Sequence, residues 1–184
     1  MEMRTRPLAY LITFTTYGTW MHGDKRGSVD KRHNRYGTAF LGQNCSRQMK
    51  EYSILKNQPL ELTPHLRQAV LRAIIGVCEV RKWFAHAVHV RGNHVHIVVS
   101  ADDEPDRIMR DFKSYATRAI KQRSDGNSKI KKFWTRHGST KYLWTKESLV
   151  SAIGYVKNEQ GRTMEFGSTN TNGVKVNKQS PERK

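Results

Sequence analysis

Residues 8–16 (LAYLITFTT) form an apolar, β-branched and aromatic run that predicts a first strand. Over 17–62 the pattern dissolves into Gly, Arg, Lys, His and Asn with weak periodicity. A long basic loop is expected there, of the kind that is either functional or disordered. Periodicity returns with Leu66, Ala69, Val70, Ala73, Ile74, Val77 and Cys78, which recur at helical spacing behind a Thr63 cap and a Pro64 in the first turn. This helix should end near Lys82. Two strand-like runs follow, 84–90 and 94–101, and the Arg91-Gly92-Asn93 between them favours a tight turn and an antiparallel hairpin. Ile108, Phe112, Tyr115, Ala116 and Ala119 make one stripe of a second helix over about 105–123. A short strand is expected at 142–145 and a third helix at 146–160, stopped by Gly161. Beyond Phe166 the chain is Gly, Ser, Thr, Asn and Lys with little to bury, so residues 167–184 read as a disordered polar tail.

The order β-α-β-β-α-β plus one helix predicts an α+β fold of the split βαβ, ferredoxin-like kind. In that arrangement two helices cover one face of a four-stranded antiparallel sheet. The chain reads as one domain, 1–166, followed by the tail. No run of eighteen apolar residues and no signal-peptide pattern is present, so neither a membrane span nor export is expected, and a cytoplasmic location follows. Cys45 and Cys78 are the only cysteines, too few for a cysteine-based zinc site and expected to stay reduced.

Charge changes the picture most. Thirty-three Lys and Arg against sixteen Asp and Glu leave a formal +17, which calls for a polyanionic partner. Nucleic acid is the expected class, though charge does not distinguish DNA from RNA. Trp20, Arg26, Arg32 and Arg35 interleave aromatic and cationic groups in the long loop and suit unpaired bases and phosphates. Arg110, Lys113, Arg118 and Lys121 on the second helix, and Arg136 beyond it, extend the candidate nucleic-acid surface.

Chemistry enters at His94-Val95-His96. Alternation along a strand sends both imidazoles to one face, and Val95, Ile97 and Val99 to the other, under the helices. The histidine face should then be uncovered and able to grip a divalent cation. Tyr155, on the third helix, lies off the stripe of Leu149, Ile153 and Val156, so the core does not require it and it can act as a nucleophile toward a phosphodiester. Glu159, one turn on, could supply a metal oxygen, and Gln160 is its rival. Tyr115, on an apolar stripe, reads as a core residue.

The segments GNHVHIVVS (Gly92 to Ser100), TTYGTW (Thr15 to Trp20), FWTRHGST (Phe133 to Thr140) and YVKNEQ (Tyr155 to Gln160) together resemble a REP-associated tyrosine transposase, of the small HUH single-tyrosine class. The resemblance runs over about 8–165. It implies a ferredoxin-like catalytic domain acting on single-stranded or hairpin DNA. It also implies that His94 and His96 hold Mg2+ or Mn2+, and that Tyr155 forms a 5′-phosphotyrosine link which a 3′-hydroxyl later resolves. Glu159 stands where relatives more often carry Gln or Asn, so Glu159 and Gln160 both remain candidates for the third ligand. The Asn-Pro that often follows the tyrosine in the REP-associated group is absent. The alternative is a non-catalytic nucleic-acid-binding module, for a DNA hairpin or RNA, on the same fold. A homodimer sharing tyrosine helices is also compatible with the resemblance.

Overall fold

The computed structural model describes residues 6–19, 21, 42–124, 130–158, 164–169 and the backbone of 175–177. Trp20, Arg26, Arg32, Arg35, Glu159 and Gln160 lie outside them. In chain order the elements are β1 (Ala9–Thr15), α1 (Cys45–Ser53), α2 (Pro64–Arg81), β2 (Phe84–Val90) and β3 (His94–Ser100). They continue with α3 (Pro105–Arg123), β4 (Ser139–Leu143), α4 (Lys146–Asn158), β5 (Glu165–Ser168) and β6 (Lys175–Asn177). The strands form one antiparallel sheet in the order β4-β1-β3-β2-β5-β6. Its first four strands carry the ferredoxin-like order that the sequence predicts, and β5 and β6 extend the β2 edge.

Local chemistry sets the element ends. The Thr63 side chain accepts a hydrogen bond from the Leu66 amide, Pro64 occupies the first turn, and Lys82 closes α2 in the left-handed conformation. The β2–β3 hairpin forms as expected, with one register irregularity between Ala85 and Ala87. α2 and α3 cover one face of the sheet, burying Val70, Ile74, Ile108 and Phe112 against Ile12, Phe14, Val95, Ile97 and Val99. Buried Cys78 joins this core, where desolvation pushes its thiol up to about 12.

Three expectations need correction. The histidine face is not uncovered: α4 lies on it, burying Ala152 and Val156 against Ala9, Ala87, Val98 and Leu143. The stretch 42–62 is not all loop. It contains α1, capped by the Asn44 side chain accepting from the Arg47 amide at 2.9 Å, but no α1 residue is buried, so no core-facing stripe marks it. The polar tail also contributes to the sheet. Gly167 and Ser168 belong to β5, which pairs with β2, and 175–177 form β6, which pairs with β5; such pairing uses backbone groups and needs no apolar side chain. Gly167 fits here beneath α2, since a Cβ would meet Leu71 at 3.3 Å.

Candidate active site

Registry across the sheet assembles the site. His96 is paired with Thr13 of β1 on one side and His89 of β2 on the other, and Thr13 is in turn paired with Ser139 of β4. Paired residues share a face, so Ser139, Thr13, His96 and His89 form one row on the α4 side. His94 lies one step along the same face, with its ring centroid 4.7 Å from that of His96 and the planes at 80°.

Each imidazole of the pair is oriented through Nδ1. His94 Nδ1 lies 2.6 Å from Asn93 Oδ1; an amide oxygen accepts, so the ring nitrogen donates. His96 Nδ1 is hydrogen-bonded to Thr13 Oγ1 at 2.8 Å. A metal held by this pair would take Nε2 of each ring, with Asn93 and Thr13 fixing ring orientation from behind. His96 is 6% exposed and His94 half-buried, so one ring is fixed in the sheet and the other stands at its margin.

α4 brings Tyr155 to this pair. Ala152 and Val156 point into the sheet, Leu149 and Ile153 pack beside them, and Tyr155 stays 38% exposed on the flank. Its ring centroid is 5.8 Å from that of His96, edge to face at 80°. The tyrosine is therefore held by its ring while part of it faces solvent. Tyr115 belongs to α3, on the opposite side of the sheet, partly buried against the core and covered by the Arg118 guanidinium at 4.8 Å. It is remote from the histidines by topology alone.

The basic residues divide. Arg110, Lys113 and Arg136 meet at a cleft of about 470 Å³, with Asp106, Met109, His137, Gly138 and Thr140 completing its walls. This cleft is on the α3 side, since Thr140 pairs with core-facing Ile12, so it and the histidine pair occupy opposite faces. Arg110, Arg118, Lys121 and Arg136 are exposed. Lys113 is not a surface cation of the same kind. Its Nζ donates to the carbonyls of Thr135 (2.9 Å), His137 (3.2 Å) and Arg136 (3.4 Å), and burial holds its pKa below the ordinary lysine value. Trp134 likewise anchors the loop, its Nε1 donating to Lys113 O and Thr117 Oγ1.

Thr13, Asn93 and His89 belong to the site without having been singled out from sequence. Asn93 could have been found beside His94, but Thr13 and His89 become neighbours only through strand registry. Among the described residues no three His, Cys, Asp or Glu side chains converge as a metal site. No helix among them is long and apolar enough to cross a membrane.

No curated protein matches the chain. Among solved structures it is similar to that of a REP-associated tyrosine transposase bound to a REP hairpin. That likeness is 15% identity over 85% of this chain and 70% of that chain, with a TM-score of 0.44, too distant to bear on function. The family model described as "Transposase IS200 like" matches residues 53–161, more than half the chain and a span that includes His94, His96 and Tyr155. The chain belongs to the IS200-like transposase family.

Proposed function

We propose that this chain cuts and rejoins one strand of single-stranded or hairpin DNA through a covalent bond to Tyr155. The observation that carries the reading is the approach of the partly exposed Tyr155 ring to His96, on the same sheet face as His94. In the first step Tyr155 Oη loses its proton to solvent and attacks phosphorus. The Oη–P bond forms, the P–O3′ bond breaks, and the departing oxygen takes up a proton as a free 3′-hydroxyl. A 5′-phosphotyrosine remains. In the second step a 3′-hydroxyl attacks the same phosphorus, O3′–P forms, Oη–P breaks, and tyrosine is regenerated. Each step exchanges one phosphate ester for another, so no external energy source is needed.

The residues present fit a divalent ion. His94 and His96 offer two imidazoles already oriented through Nδ1, and Glu159 or Gln160 would complete the shell, with Glu159 favoured. Mg2+ or Mn2+ suits a site that mixes such ligands with water and a phosphate oxygen. Such an ion, when bound, would polarise the scissile phosphate and balance its developing charge. Thr13 and Asn93 keep the two rings aligned, and α4 holds the phenol beside them. Arg110, Arg118, Lys121, Arg136, Arg26, Arg32 and Arg35 would contact backbone phosphates, and Trp20 would stack on an unpaired base.

The test is covalent trapping of labelled hairpin DNA in Mg2+, Mn2+ or EDTA, resolved on a denaturing gel. A metal-dependent shifted band is expected, lost in Tyr155→Phe while hairpin binding persists. Hairpin binding with no band in any metal would replace this reading with that of a non-catalytic DNA-binding module.

A further inference from the structure

His89 is fully buried, and the proposed chemistry does not use it. Its ring makes two hydrogen bonds to backbone from separate parts of the chain. The Met164 amide donates to Nε2 at 3.1 Å, and Nδ1 lies 3.1 Å from the Val156 carbonyl oxygen. An amide N–H only donates and a carbonyl only accepts, so a single neutral tautomer satisfies both: lone pair on Nε2, proton on Nδ1. Val156 lies in the last turn of α4, where carbonyls run out of partners within the helix. The ring is further confined by its strand neighbours, His96 on one side and Phe166 on the other, the latter 6.4 Å away between centroids.

Val156 directly follows Tyr155. The cross-strand partners His89 and His96 therefore meet successive residues of α4: His89 binds the Val156 carbonyl and His96 faces the Tyr155 ring. We infer that His89 is a positioning residue, whose Nδ1–H bond to Val156 sets the end of α4 so that Tyr155 stands over the histidine pair; this rests on Tyr155 being the nucleophile. An apolar ring of similar size would fill the space, yet leave the Val156 carbonyl and the Met164 amide without this partner.

The experiment compares His89→Phe, His89→Asn and His89→Gln by single-turnover adduct formation at saturating hairpin, with hairpin affinity measured separately. His89→Phe should slow adduct formation roughly 10- to 100-fold, the scale expected when a reacting group is displaced by about an ångström, while affinity is unchanged. His89→Asn can donate from near the Nδ1 position and should recover most of the rate. His89→Gln reaches only toward the Nε2 position and should not. A wild-type rate in His89→Phe overturns the inference. So does an equal loss in all three variants that tracks a loss of hairpin affinity, the mark of general misfolding. Nitrogen NMR of the wild-type imidazole is a second, independent reading: Nδ1–H supports the inference and Nε2–H overturns it. If the wild-type protein forms no adduct, the functional reading fails, and the tautomer alone decides how His89 is bonded.

Discussion

Lys113→Met separates two roles that the same lysine could play. As a DNA contact, its ammonium would face a phosphate; in the structure it instead gathers the carbonyls of Thr135, Arg136 and His137 and lies 5.5 Å from the Phe14 ring centroid. Two of those bonds are of ordinary length and the third, to Arg136, is long. Hydrogen bonds to charged groups contribute about 1.5–3 kcal/mol each, and the cation–ring contact about 0.5–1 kcal/mol. Burial works against the ammonium and lowers its pKa, and the Arg136 and His137 end of the loop is exposed, so the sum must be discounted. A net loss of about 2 kcal/mol is expected, because methionine keeps the packing of the stem but offers no donor. Urea unfolding should show the midpoint falling by roughly 1 M at an unchanged slope of about 2 kcal/mol/M. Hairpin affinity should keep its dependence on salt concentration. A variant as stable as wild type, with weaker binding and a salt slope reduced by about one, would show that Lys113 contacts phosphate and that the loop does not need it.

Thr13→Val should leave the fold intact but cost roughly 10- to 100-fold in metal affinity or activity, because His96 loses the partner of its Nδ1. Titrating adduct formation with Mn2+ would show this, and recovery in Thr13→Ser would tie it to the hydroxyl. Gly138→Ala places a Cβ 2.4 Å from the Thr13 carbonyl oxygen and 2.7 Å from Met109 Sδ, so a destabilisation of about 1–3 kcal/mol is expected, and an unchanged melting temperature would contradict that contact. Burial lowers the pKa of His86 and His89 from 6.5, so the unfolded chain takes up protons first as the solution is acidified. Their contribution is complete above that value and is lost as pH falls toward the depressed folded values. Urea midpoints should therefore decline as pH falls below about 6.5, less steeply in His86→Asn.

What the sequence made legible follows from how each signal arises. α2 and α3 bury an unbroken stripe and begin at Pro64 and Pro105, so their periodicity and their starts were visible. The His94 and His96 pair and the off-stripe position of Tyr155 were visible for the same reason: strand alternation and helical spacing are local properties. α1 escaped because it buries nothing, and β5 because its pairing is made by backbone. Lys113 looked like Arg110 in sequence, and only the fold shows its amine turned onto three carbonyls. Thr13 and His89 lie far from His96 and Val156 along the chain and become partners through the β1–β3–β2 registry and the docking of α4. That docking also covers the face that the two-helix expectation left open.

Locating the adduct decides whether Tyr155 becomes bonded to DNA beside the histidine pair. The trapped complex would be digested with nuclease and trypsin, and the modified peptide sequenced by mass spectrometry. The tryptic peptide 147–157 contains Tyr155 as its one tyrosine, so a nucleotide on that peptide, with the freed strand ending in a 3′-hydroxyl, is the predicted result. A nucleotide on the peptide 114–118, which carries Tyr115 on the opposite face of the sheet, or on any other tyrosine, would contradict the account.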